Sequence, residues 1–177
     1  MTRYQQQRLQ SSTNEKVEIM KFPETLTVTA RDHHTGLPVE NVAIVLVLFA
    51  TRKNNYYIGP LISGHNGQVD FTRSECEFAI KHAQEMFIMD YQGDLESCRP
   101  IIEVSLHPQE RIDGMRLQYE SAPEFWGRAF KDPSRLFNDL KKVKNADYEP
   151  ARISATEEQF LANPELELLI VKKNVKP

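Results

Sequence analysis

Three histidines are the side chains of this sequence best suited to chemistry: His33 and His34 are adjacent, and His65 stands just before an Asn-Gly pair. Imidazole binds zinc and copper and changes charge near neutral pH, so these residues are candidates for a metal site or a proton-transfer site. Adjacent residues of an extended segment point to opposite sides, and only a bent loop would aim both rings of the pair at one ion. No cysteine or carboxylate cluster joins them at a ligand spacing, so the pattern favours loop histidines without a special role.

The other patterns typical of enzymes are missing from the sequence. The seven glycines are scattered and do not form the dense loop that cradles phosphate, and no serine stands in a Gly-x-Ser-x-Gly turn. Cys76 and Cys98 are the only cysteines, and their separation fits neither a disulfide framework nor a metal spacing. We therefore expect no cofactor, reduced cysteines, and a core position for Cys76.

Composition bounds the partners and the location. The 177 residues suffice for one compact domain with an appendage, and 40% hydrophobic with 27% charged residues is typical of a soluble globular protein. A net charge of −3 is too small to predict nucleic-acid binding. No apolar stretch suits a secretion signal or a membrane span, so we expect a cytoplasmic protein without membrane contact. Residues 1–20 are polar and aperiodic, which predicts a flexible arm.

The histidine pair lies between two predicted strands of different character. Leu26, Val28 and Ala30 alternate with polar residues, which indicates a strand with one buried face. Residues 32–38 contain a Gly and a Pro and form a turn in which the Asp side chain bonds the following backbone. Residues 42–49 are apolar on both faces, so the second strand needs cover on both sides.

Further elements follow at short spacing. Asn66-Gly67 predicts a hairpin turn, and Thr72 with Glu75 predicts a capping box that starts a helix of about three turns. Additional strands are expected at 56–58, 61–62, 69–71, 87–91, 101–106 and 115–119. These patterns predict a mainly β protein of about seven strands with one inserted helix.

The run LTVTARDHHTGLPVENVAIVLVLF, followed by the turn GHNGQVDF and a short helix, resembles the transthyretin-like, or prealbumin-like, β-sandwich family. The resemblance covers roughly residues 25–120 in the order of elements. It implies a seven-stranded Greek-key sandwich over 21–120 with one inserted helix. What remains, residues 121–177, is expected to form a mainly helical extension that packs on the sandwich or on a partner.

The same resemblance argues against the activity found in that family. Its enzymes, the 5-hydroxyisourate hydrolases, are similar in carrying a His in the first strand, an Arg after the hairpin turn and a late His. Thr29 and Gln68 stand at the first two of these positions, although His107 offers a late His. Thr does not replace imidazole as a base, and Gln does not replace a fixed positive charge, so we do not expect the hydrolase reaction.

The segment 121–177 carries the densest aromatic cluster. Phe125, Trp126 and Phe130 stand close together, and Asp132 before a proline predicts a helix start. That helix carries an apolar stripe that includes Phe137 and ends in lysines, which suit a solvated helix end better than nucleic acid. Large aromatic side chains of this kind either cover the second apolar face of the 42–49 strand or anchor a protein partner.

The sequence therefore predicts a non-catalytic protein–protein interaction or assembly module, acting with a protein partner or by self-association. Its candidate interaction residues are Phe125, Trp126, Phe130 and Phe137. Two alternatives remain open. One is an enzyme or metal-binding protein with a loop site around the three histidines, and the other is a small-ligand carrier, which would need a cavity.

Overall fold

The computed structural model describes residues 23–49, 55–86, 101–124 and 132–174. Within these ranges the protein is mainly β, with seven strands in two sheets and four α-helices. The elements are β1 (Thr25–Asp32), β2 (Ala43–Phe49), β3 (Asn55–Ile62), β4 (Gln68–Thr72), α1 (Arg73–Met86), β5 (Ile101–Leu106), α2 (Gln109–Ser121), α3 (Pro133–Leu140), a 3-10 turn (Asn145–Asp147), β6 (Arg152–Thr156), α4 (Glu157–Ala162) and β7 (Glu165–Ile170). The predicted arm at 1–20 and the predicted strand at 87–91 lie outside the described residues.

The strands form a three-stranded sheet of order β4-β1-β7 and a four-stranded sheet of order β3-β2-β5-β6. In the three-stranded sheet β1 pairs antiparallel with β4 and parallel with β7. All pairs of the four-stranded sheet are antiparallel. The main core contains side chains from both sheets, among them Leu26, Ile44, Phe71, Val104 and Ile170.

The two central strands have the characters that their sequences predict. In β1, Leu26, Val28 and Ala30 are fully buried in the main core, while Thr27 and Arg31 on the other face are partly exposed. In β2, every residue from Ala43 to Val47 is buried, so both faces of this strand are covered. The alternating pattern of β1 therefore correctly predicted one buried face, and the doubly apolar pattern of β2 correctly predicted that both faces are buried.

The predicted turns and caps are also present. The Asp32 carboxylate accepts hydrogen bonds from the backbone N–H of His34 and Thr35, at 2.8 and 3.0 Å. Gly67 has a φ of +73°, and a Cβ there would lie 2.7 Å from the Ala30 carbonyl oxygen, so only glycine fits.

The predicted capping box starts α1. The Thr72 hydroxyl accepts from the Glu75 N–H, and the Glu75 carboxylate accepts from the Thr72 N–H, each at 3.3 Å. Cys76 of this helix is 2% exposed and belongs to the main core, as expected.

The strand predicted at 115–119 is wrong, because these residues belong to α2. The alternation of Met115, Leu117 and Tyr119 suggested a strand, yet Leu117 is 67% exposed. The true period is helical: Ile112, Met115 and Tyr119 share the side that packs in a second apolar cluster. Gly114 stands inside this helix, and a Cβ there would have no other heavy atom within 4 Å.

The extension predicted over 121–177 lies partly outside the described residues, and its described residues form two strands as well as helices α3 and α4. They supply β6, which pairs with β5, and β7, which pairs with β1. Among the β6 residues whose burial the structure describes, Ile153 alone packs against the main core, so the sequence of this strand has little apolar alternation. Its structure depends on pairing with a strand far away in the sequence, which local patterns do not encode.

The helices of this part begin close to where the sequence predicted. Asp132 caps α3 through its side chain, which accepts from the Arg135 N–H at 3.2 Å. The α4 helix is capped by Thr156 with Gln159. None of the helices in the described ranges is long and apolar enough to cross a membrane.

Candidate functional site

The three candidate histidines do not converge on a common centre. His33 and His34 lie exposed after β1, with ring centroids 5.7 Å apart and an edge-to-face angle of 61°. His65 is fully exposed, and its Nδ1 pairs with the Glu40 carboxylate. In the described part of the chain, no group of three or more His, Cys, Asp or Glu side chains is placed to hold a metal ion. The turn thus brings two imidazoles together, but no described third ligand joins them.

Thr29 and Gln68 stand directly opposite each other in the pairing of β1 with β4. These are the two positions at which the resemblance to the hydrolases would place a His and an Arg. Thr29 is 8% exposed and Gln68 is exposed. Neither side chain accepts a proton near neutral pH or carries a positive charge, so the pair lacks the chemistry of that reaction.

His107 is a titratable side chain that is almost fully buried. It follows β5, is 6% exposed, and its Nε2 lies 3.4 Å from the Met115 sulfur. Burial, followed by the nearby positive charge of Arg111, lowers its pKa from 6.5 to about 4. Its Nδ1 is buried and makes no hydrogen bond to any described residue. The ring is therefore neutral at physiological pH and packs as a core side chain.

The Cys76 thiol is chemically quiet. Burial, followed by the charges of Glu75 and Glu77, raises its pKa from 9.0 to about 12. A thiol with so high a pKa holds almost no thiolate at neutral pH, and the thiolate is the nucleophilic form.

The predicted interaction residues have different positions. Phe137 is 3% exposed and stacks on Tyr119, with ring centroids 4.2 Å apart and planes 8° from parallel. It belongs to the second apolar cluster together with Ala43, Ile112 and Leu140. Phe137 is thus part of the cover over the four-stranded sheet, and a direct role for it in partner docking stays a prediction. Phe125, Trp126 and Phe130 lie outside the described residues.

The connection from β5 to β6, residues 107–151, contains α2, α3 and the 3-10 turn. Asn145 fastens it to the sandwich, since this 3% exposed amide makes three backbone hydrogen bonds. Its Oδ1 accepts from the Ala43 N–H at 2.8 Å, and its Nδ2 donates to the carbonyls of Ala43 and His107 at 2.9 and 2.8 Å. The helical layer is therefore attached by polar contacts as well as by apolar packing.

A cleft of about 230 Å³ lies between α2 and α3. It is lined by Arg116, Tyr119, Glu120, Ser134, Phe137, Asn138 and Lys141. Sequence analysis missed this cleft because α2 was taken for a strand. The spacing of the lining residues could have indicated the cleft. Tyr119 and Glu120 follow Arg116 by three and four residues, and Phe137 and Asn138 follow Ser134 in the same way, which places each set on one side of a helix.

Comparison of the chain with protein-family models, with curated proteins and with solved structures finds no match. The family is therefore not shown by comparison, and function has to be argued from the residues of this chain.

Proposed function

We propose that this protein is a binding module built on a transthyretin-like β-sandwich, and that it acts through protein–protein contacts and not by catalysis. The Greek-key assignment is supported by the strand order. After β1 the chain contributes β2 and β3 to the other sheet, and β4 then returns to pair with β1. In a Greek key the fourth strand lies beside the first, as β4 does here, and the first three strands are joined by hairpins, whereas β1 and β2 here belong to different sheets.

The observation that carries the functional proposal is the connection between β5 and β6. These strands are antiparallel neighbours, and a turn of a few residues suffices to join such a pair. In this chain the connection instead comprises residues 107–151 and includes helices α2 and α3. Binding residues are found disproportionately on connecting segments, because a rigid scaffold positions such segments at the surface.

The two sides of this connection have different contacts. Its inner side packs Ile112, Phe137 and Leu140 against Ala43 of β2. Its outer side presents Leu117, which is 67% exposed and is the most exposed large apolar side chain of the described residues. The aromatic residues Phe125, Trp126 and Phe130 belong to the same connection by sequence. We assign the contact with a protein partner to this segment, because aromatic and apolar anchors dominate such contacts.

The non-catalytic part of the proposal is supported by the titratable groups. The His107 and Cys76 side chains have strongly shifted pKa values, but both are buried in apolar surroundings. The exposed imidazoles of His33, His34 and His65 are spread over two loops. A catalytic centre needs an acid, a base or a nucleophile within hydrogen-bond reach of one reacting group, and these residues are not arranged in that way.

Two matched variants test the proposal. Leu117→Gln alters the outer side of α2, and Leu169→Gln alters β7 on the opposite side of the sandwich, where Leu169 is 49% exposed. Each change replaces an exposed leucine with a neutral polar residue of similar size, so each is expected to shift the free energy of unfolding by no more than about 0.5 kcal/mol.

The full chain and both variants are used as baits for co-purification from the source lysate with mass spectrometry, and their mass in solution is measured by light scattering. We expect a protein partner, or a second copy, to accompany the wild type and Leu169→Gln but not Leu117→Gln. Loss of the partner only in Leu169→Gln would move the contact to the three-stranded sheet. A monomer without any specific partner would refute the proposed function.

A further inference from the structure

The turn between β3 and β4 contains a pair of residues, Asn66 and Gly67, that can react with each other. Asn66 is exposed, and it is the one asparagine of the sequence that is followed by a glycine. Because glycine has no Cβ, no side chain shields the Gly67 backbone nitrogen from the neighbouring side-chain amide. The pair therefore has the residue types that favour spontaneous deamidation.

Deamidation of such a pair passes through a five-membered ring. The Gly67 nitrogen gives up its proton and bonds to the Asn66 Cγ, while the Cγ–Nδ2 bond breaks and ammonia leaves. Water then opens the succinimide on one side of the ring nitrogen. Cleavage of the new Cγ–N bond gives aspartate, and cleavage of the original peptide bond gives isoaspartate, whose backbone is one methylene longer.

The folded turn engages the groups that must move in this reaction. The Gly67 N–H donates to the Gly64 carbonyl at 2.9 Å. The Asn66 Oδ1 accepts from the Gln68 N–H at 3.1 Å, and the Asn66 Nδ2 donates to the Gln68 Oε1 at 2.9 Å. Ring closure needs a deprotonated Gly67 nitrogen and a rotated Asn66 side chain, so these hydrogen bonds must open first.

The surroundings of Gly67 distinguish the two products. Gly67 has a φ of +73°, and a Cβ there would lie 2.7 Å from the Ala30 carbonyl oxygen and 3.0 Å from the Pro38 Cβ. An aspartate at position 66 keeps the oxygen that accepts from the Gln68 N–H, so it fits the turn. An isoaspartate adds a methylene to the backbone directly before this enclosed glycine, so it does not fit.

We propose that Asn66 is a deamidation site that the folded turn keeps closed, so that the modification accumulates in unfolded chains and its isoaspartate product hinders their refolding. This modification goes beyond the proposed protein contact, because it needs no partner. Either proposal can therefore fail without the other.

The test follows each asparagine of the full chain by peptide mass spectrometry during incubation at neutral pH. One sample is unfolded in guanidinium chloride, and the other is folded in sodium chloride of equal concentration. We expect Asn66 to react fastest of the asparagines in the unfolded sample and at least about tenfold more slowly in the folded one. Equal rates in the two samples, or a faster reaction of another asparagine in the unfolded chain, would overturn the proposal.

Two variants separate the turn from overall stability. Gln68→Ala removes the acceptor of the Asn66 Nδ2, and we expect Asn66 to react about two- to fivefold faster in the folded chain. Asp70→Ala is the matched control, because Asp70 is exposed on the same strand and bonds Thr27 instead of the turn. It is expected to change the rate by no more than about twofold. Equal rates in the two variants would overturn the role of the turn.

The products are compared after refolding. The isoaspartate chain is separated by chromatography from an unfolded sample, and Asn66→Asp represents the aspartate product. We expect Asn66→Asp to unfold at the urea concentration of the wild type and the isoaspartate chain to unfold at a lower one. Equal midpoints for the two products would refute the claim that the turn excludes isoaspartate.

Discussion

The outward sides of the two central strands, β1 and β2, carry different kinds of side chain: polar on β1 and apolar on β2. On the three-stranded sheet, the Thr27 hydroxyl donates a hydrogen bond to the Asp70 carboxylate at 2.7 Å, and Arg31 pairs with Glu167 at 3.0 Å. On the four-stranded sheet, the outward residues of β2 are Ala43, Val45 and Val47, and all of them are buried. The outward side of β1 is therefore polar, with Thr27 and Arg31 partly exposed, whereas the outward side of β2 is apolar and covered.

This difference explains why the chain carries a helical layer on one side. A strand with one apolar face needs a single sheet partner, whereas a strand with two apolar faces needs a second layer. The β5–β6 connection supplies that layer at Ala43. The same segment that completes the fold is therefore the outermost described structure on that side, and this is where we propose that a partner binds.

The largest effect is expected from a cavity in the cover. Phe137→Ala removes a 3% exposed ring from the cluster over β2, and we expect a loss of about 3–5 kcal/mol in the free energy of unfolding. Urea denaturation measures this loss. Thr27→Ala on the other outer face is the control and should cost about 1 kcal/mol or less. Equal costs for the two changes would contradict the distinction between a covered and an open face.

The next effect concerns the polar attachment of the cover. Asn145→Ala deletes three hydrogen bonds, among them those of the Ala43 N–H and the His107 carbonyl. We expect the free energy of unfolding, measured in urea, to fall by roughly 2–3 kcal/mol. Asn163→Ala is the matched control, because Asn163 is exposed and accepts one long bond of 3.4 Å from the Glu165 N–H. If both asparagine variants unfold at the same urea concentration, Asn145 does not attach the connection.

The pH dependence of stability follows from the same buried junction. Since the pKa of His107 falls from 6.5 in the unfolded chain to about 4 in the folded one, the unfolded state binds the proton more tightly. The neutral His107 ring contributes to the free energy of unfolding above pH 6.5. This contribution falls by roughly 2 kcal/mol as the pH falls from 6.5 towards 4. Urea unfolding of wild type and His107→Gln across this range measures the effect. A wild-type curve no steeper than that of the variant would refute the assignment.

The smallest effect belongs to the open face. A double-mutant cycle of Thr27→Ala and Asp70→Ala should give a coupling of about 0.5–1 kcal/mol, because the hydrogen bond joins two cross-strand partners that remain in contact with water. A coupling of several kcal/mol would mean that this pair is covered, for example by a second copy of the chain.

Sequence reasoning succeeded where structure is decided locally. The alternation of β1, the Asp32 turn, the Thr72–Glu75 capping box and the Asp132 helix start all depend on neighbouring residues, and all are present. It failed where two periods fit the same residues. Met115 and Tyr119 satisfy both the strand and the helix pattern, and only the exposure of Leu117 separates them.

The cleft and the sheet order could not be predicted from the sequence, for a different reason. The parallel pairing of β7 with β1 joins residues from opposite ends of the described chain. Likewise, Arg116 and Lys141 meet only because two helices pack side by side. Local patterns report the elements, whereas sites between elements depend on packing.

The most direct test of the central claim is hydrogen exchange by mass spectrometry on the full chain, alone and with the partner that co-purifies with it. The account predicts slower exchange in α2 on binding, with β4 and β7 unchanged, because the covering layer meets the partner. Slower exchange in β4 and β7 with α2 unchanged would show that the polar open face is the contact surface, and the account would be wrong.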